Sequence, residues 1–244
     1  MAKVSWLAAT FVLAGLVKGV TGMGLPTVAM GLLGVILPPA AAAALLLIPS
    51  FVTNVWQWLS GAAAARLLRR LWTMMLGVAI GTLLSSALLV RADPRASAFG
   101  LGLALIAYAV YAWRSPAFAL PSRLEPWLAP LVGIATGVVT GATGVFVLPA
   151  VPYLQSLRLD KDELVQALGM SFTVSTAALA AGLTTQGALH TDRLGASALA
   201  LIPALAGMWL GQRIRGRIRA ATFRRCFLLC LMLLGLQLAA RPLF

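Results

Sequence analysis

The stretch Gly15–Pro26, GLVKGVTGMGLP, breaks an apolar segment with glycines, a threonine and a proline, and Gly133–Pro149, GIATGVVTGATGVFVLP, breaks a second one in the same manner. Each break is followed by an apolar segment carrying small hydroxyl residues: SFVTN at Ser50–Asn54 and SFTVS at Ser171–Ser175, offset by 121 residues. A duplicated chain with broken helices in matching places reads first as a transporter, because a break exposes backbone N–H and C=O groups that a polar substrate can use.

Composition sets the environment. Of 244 residues 61% are hydrophobic and 10% charged, and mean hydropathy is +0.94, which a soluble globular domain does not reach. The net charge of +13 belongs to the loops of a membrane bundle rather than to a nucleic-acid surface, since no basic stretch is interleaved with a solvated fold. MAK followed by apolar Val4–Val17 resembles a signal peptide, but Lys18 and the glycine break stand where a small-residue cleavage site belongs, so the segment reads as retained. Cys226 and Cys230 are four apart on one apolar helix and read as packing residues. No disulfide framework, metal-ligand cluster or cofactor motif is present in the sequence.

Apolar windows lie at 5–37, 40–60, 71–90, 97–113, 127–157, 162–185, 194–212 and 223–240. Six are near the ~20 residues of a single crossing, and the two longer ones contain the breaks. The pieces on either side of TGMG have 16 and 13 residues, roughly 24 and 20 Å of helix, short for ~30 Å of hydrocarbon.

Charge decides the topology better than length. With every window crossing once, eight basic residues fall on one side and ten on the other. If both broken windows enter and leave on the same side, as a hairpin of half-helices or as two tilted spans, thirteen fall on one side. Five remain on the other: Lys3, Arg91, Arg95, Arg193 and Arg241. The positive-inside rule selects the second arrangement, which inverts the halves 1–120 and 121–244 relative to each other and brings their breaks together near the midplane. Trp6, Trp72, Trp113 and Trp127 stand at window edges as an aromatic belt. Gly77/Gly81 and Gly207/Gly211 match as close-packing pairs.

Candidate substrate contacts follow. Gly22, Gly24, Gly141 and Gly144 allow close backbone approach, and Thr21, Thr140 and Thr143 supply hydroxyls. Pro26 fits the opening turn of a half-helix whose free N–H groups and dipole suit an anion. Ser50, Asn54 and Gln57 share one helical face, as do Ser171 and Ser175. Lys18 is the one ionisable residue well inside an apolar window and stands one turn before Gly22; Thr136 takes its place in the second copy. All six acids, Asp93, Glu125, Asp160, Asp162, Glu163 and Asp192, fall in loops or at window edges, which argues against a cation pump. The single histidine, His190, reads as a loop residue, and no Ser/His pair shares one depth for hydrolysis. Arg213–Arg225 reads as a run along the headgroups, in contact with membrane lipids.

These residues resemble the TauE/SafE family of sulfite exporters, also called the toluene-sulfonate uptake permease family. The likeness rests on both glycine breaks, the proline-containing connection after each, the SF-bearing second helix of each half and the GxxxG-bearing third helix, and it covers nearly the whole chain. Met23 departs from the longer glycine run frequent at the first break. The resemblance implies a bacterial inner-membrane permease, all-α and polytopic, moving sulfite, a sulfonate or a related small anion. The rival readings are a non-transporting membrane scaffold and a membrane-embedded enzyme, the latter lacking a nucleophile and base.

Overall fold

The computed structural model describes residues 2–114, 119–189, 191–214 and 220–240. His190, Arg215, Arg217, Arg219 and Arg241, and the side chains of Lys3, Asp192, Arg193 and Arg224, lie outside the described residues. The described chain is helical, with α1 (Ala2–Thr21), α2 (Leu25–Gly34), α3 (Pro39–Leu59), α4 (Ala64–Arg91), α5 (Pro94–Arg114), α6 (Glu125–Thr143), α7 (Ala150–Ser156), α8 (Lys161–Thr185), α9 (Thr191–Ile214) and α10 (Ala220–Ala240). Six of these, α3, α4, α5, α6, α8 and α9, contain a stretch long and apolar enough to cross a membrane.

Both broken windows fold back as hairpins. Val17 of α1 lies against Gly24, and Leu13, Val17, Val28 and Leu32 share one groove, so α2 returns along α1. Prolines then restart the chain. Pro26 is the second residue of α2, and Pro38 and Pro39 open α3, where a missing N–H costs nothing. Asp160 and Glu163 form a reciprocal capping box that starts α8.

Glycines set the helix pairing. A Cβ at Gly15 would lie 2.1 Å from the Ala204 carbonyl oxygen and one at Gly19 2.2 Å from that of Met208, so α1 and α9 run parallel in backbone contact. A Cβ at Gly77 would be 2.6 Å from the Pro130 carbonyl and one at Gly81 2.4 Å from that of Ile134, which sets α4 parallel to α6. Two pairs run antiparallel: α3 with α8, through Asn54 beside Gly169 and Gln57 on Val165, and α5 with α10, through Gly102 beside Ala239 and Ile106 beside Gly235. Exchanging each helix of α1–α5 with the one five places later maps α1·α9 onto α6·α4 and α4·α8 onto α9·α3, and α3·α8 and α5·α10 onto themselves.

The loops sort by charge. Arg66 pairs with Glu163, Arg70 pairs with both Glu125 oxygens at 2.7 and 2.8 Å, and Leu120 N–H donates to the Ser156 carbonyl, so three loops converge on one end of the bundle. Among the described residues that end carries Arg66, Arg69, Arg70, Arg114, Arg123, Arg158, Lys161, Arg213 and Arg225, and the other carries Arg91 and Arg95. Trp72, Trp113, Trp127, Trp56 and Trp209 ring the basic end with exposed indoles, and Arg213 stacks over Trp209 at 4.2 Å.

Candidate functional site

The two breaks are built alike. Gly22 and Gly144 have left-handed backbone, φ +78° and +73°, and their N–H groups donate at 2.7 Å to Lys18 O and Thr140 O. Thr21 Oγ1 donates to Val17 O at 2.9 Å and accepts from Met23 N–H at 3.3 Å; Thr143 Oγ1 donates to Val139 O at 2.6 Å and accepts from Val145 N–H at 3.2 Å. The match pairs Thr21 with Thr143 and Lys18 with Thr140, so Thr136 is not the counterpart of Lys18.

Thr140 and Gly141 are not part of the second break. Helix α6 continues through them because a Cβ at Gly141 would lie 2.1 Å from Ser85 Oγ and 2.5 Å from Thr82 O, in the α4 seam. Of the two Thr-Gly pairs in TGATG, contact with α4 keeps the first helical and leaves the second to end the helix. Thr140 Oγ1 reaches back to Val145 O at 3.4 Å.

The breaks also sit apart, contrary to the expectation that they meet. Gly22 faces Val165, whereas Gly144 packs on Met30 of α2, and Val145, Phe146 and Val147 are fully buried around the second break. Along α5, Tyr108 marks the first break through its hydroxyl on Met23 Sδ, and Gly100 marks the second through Thr143. Eight residues of helix separate them, roughly 12 Å. One break therefore lies toward each end of the bundle.

The polar candidates form two clusters. In the first, Lys18 is buried, 3% exposed, and its ammonium donates to Asn54 Oδ1. Asn54 Nδ2 and Ser50 Oγ, one turn earlier on the same face, are buried with no hydrogen-bond partner. Gln57 Nε2 is committed to Val165 O at 2.8 Å and ties α3 to α8. Thr27 Oγ1, in the first turn of α2, is buried and unpartnered. In the second cluster Ser171 and Ser175 stand on the α8 stripe that carries Gly182, away from the Gly169 face that meets α3. A Cβ at Gly182 would be 2.6 Å from Ser86 of α4, so this stripe faces α4. The hydroxyls of Ser171, Ser175 and Thr82 are all buried and unpartnered.

Sequence reasoning did not single out Thr82 or Ser197. Thr82 was visible as a hydroxyl inside the 71–90 window, one helical turn from Ser85 and Ser86. Ser197 was visible in the same way, inside the 194–212 window, but without a neighbouring hydroxyl one turn away. Its hydroxyl donates to the Leu45 carbonyl of α3, 152 residues distant in sequence.

A cavity of about 190 Å³ opens beside the first break, lined by Thr21, Met23, Tyr108, Tyr111, Gln155 and Phe227 among others. It lies between the first hairpin and α7, the returning helix of the second, and Tyr111 OH bonds Gln155 across it at 3.3 Å.

Spanning helices, paired helical breaks and a buried ammonium beside unsatisfied donors define a polytopic membrane permease. An intramembrane charge with no carboxylate partner among the described residues marks a candidate functional site. The chain belongs to the TauE/SafE sulfite exporter family: the family model matches residues 7–238. No curated protein and no solved structure gives a significant match.

Proposed function

We propose that the protein carries sulfite or a related small sulfur-containing anion across the membrane by alternating access, with Lys18, Asn54 and Ser50 as the anion-binding group. The observation that carries this is the Lys18–Asn54 pair. The Lys18 ammonium takes the Asn54 carbonyl oxygen, which turns the amide N–H₂ outward as a free donor next to Ser50. A buried cation surrounded by donors, with no carboxylate partner among the described residues, is stabilised by an arriving anion. The N-terminus of α2, opened by Gly24 and Pro26, adds backbone N–H groups and the positive end of its dipole near Thr21 and Gly22.

Residues 1–120 and 121–244 act in this reading as inverted repeats. The opposed helix directions, the exchangeable pairing and the matched breaks support that reading. Ser171, Ser175 and Thr82 then form the uncharged counterpart of the Lys18 cluster. Concentration of Arg and Lys at one end supports placing that end in the cytoplasm of a bacterial inner membrane, with headgroup lipids as partners.

The packed second break favours one competing reading, a membrane scaffold without cargo. Uptake of radiolabelled sulfite into proteoliposomes separates the two. The permease gives flux above empty liposomes that Lys18→Met abolishes; equal flux in both variants, or none in either, removes the reading.

A further inference from the structure

We propose that the Lys18 site accepts a singly charged oxyanion and rejects the doubly charged form; this rests on the permease reading above and narrows its substrate. Lys18 is the only charged side chain among the buried described residues. Asn54, which accepts from Lys18, and Ser50, one turn earlier on the same face of α3, offer only neutral donors, and so does Thr27 at the start of α2. The remaining described basic side chains lie toward the ends of the bundle, where Arg66 and Arg70 are already neutralised by Glu163 and Glu125.

Charge count then decides. A monoanion on Lys18 makes a neutral assembly, which can be enclosed in a low-dielectric interior at little electrostatic cost. A dianion leaves one uncompensated negative charge buried, and neutral hydroxyl and amide donors do not cancel it. The half-helix dipole of α2 contributes only about half a charge and cannot make up the difference. Of sulfite, the species carried is therefore HSO₃⁻ and not SO₃²⁻.

The test uses two tetrahedral sulfur oxyanions of fixed charge, methanesulfonate with one and sulfate with two, as competitors of radiolabelled sulfite influx at a single pH. Methanesulfonate is expected to inhibit at a concentration at least about tenfold below that of sulfate. Lys18→Arg keeps this preference, and Lys18→Gln, read by thermal stabilisation with the two anions because its flux is lost, shows none. Equal or stronger inhibition by sulfate overturns the proposal while leaving the permease reading intact. Absent sulfite flux overturns the permease reading instead, and thermal stabilisation of the detergent-purified protein by the same two anions then decides charge selection. Stabilisation by methanesulfonate above that by sulfate supports it; equal stabilisation, or none by either, overturns it.

Discussion

The hydroxyl of Ser197 in α9 donates to the Leu45 carbonyl of α3 at 2.8 Å and accepts from Ile48 N–H at 3.1 Å. Pro49 lacks the N–H that would have served Leu45, so a side chain from the other half of the molecule completes the helix. Ser50 and Asn54 begin immediately after this point. The direction in which the Ser50–Asn54 half of α3 leaves its proline thus depends on a contact with α9.

Ser197→Ala is expected to lower stability by about 1–3 kcal/mol, the cost of an unsatisfied buried polar group, and Ser197→Thr to retain it. In a Pro49→Ala background the loss shrinks by at least about 0.5 kcal/mol, because the restored N–H serves Leu45. Unfolding in detergent for the four variants of the cycle measures the coupling; full additivity would show that the brace is not what the hydroxyl does.

Gly137→Ala and Gly195→Ala should behave oppositely although both glycines are helical. A Cβ at Gly137 would lie 2.4 Å from Val78 O, and the α4–α6 backbones must part to admit it; at Gly195 nothing lies within 4 Å. Loss of about 1–3 kcal/mol is expected at Gly137, against a gain of up to about 1 kcal/mol at Gly195. Melting temperatures of the two variants decide.

Thr21→Val and Thr143→Val each remove a hydroxyl that accepts the N–H two residues on. Each is expected to cost about 0.5–2 kcal/mol, the range for a lost cap, with Thr→Ser neutral at both places. Thr21 also lines the 190 Å³ cavity. Its variant should therefore change the KM for sulfite, and the Thr143 variant should not. A matching KM shift in both would place the second break on the substrate path.

The ion pairs at the basic end contribute little. Arg66 is 70% exposed at its side chain, so Arg66→Ala is expected to cost less than about 0.5 kcal/mol. Arg70, bidentate on Glu125, is expected to contribute up to about 1 kcal/mol, diminishing as salt rises. Denaturation at low and high ionic strength checks both values.

Much of the architecture was readable from residue types alone. Apolar window lengths and the distribution of Arg and Lys depend only on partition between water and lipid, so the spanning segments, the entry and exit of each broken window on one side and the shared basic end emerge without coordinates, whereas the choice of a hairpin over two tilted spans does not. Lys18 stood out for the same reason, a charge inside an apolar window. Which Thr-Gly pair ends α6, and which residue matches Lys18, depended on Gly141 being pressed into the α4 seam. Sequence periodicity does not contain that contact.

Clustering of the polar candidates was likewise a matter of neighbours. Asn54 meets Lys18 because α9 packs against both α1 and α3 and brings them within reach of a lysine side chain; the α8 stripe that carries Ser171 and Ser175 faces α4, the helix of Thr82. A one-dimensional pattern names the face of a helix on which a hydroxyl stands. What that face touches, and whether two breaks meet or stand at different depths, is set by packing between segments more than a hundred residues apart, through close glycine contacts whose partners lie on another helix.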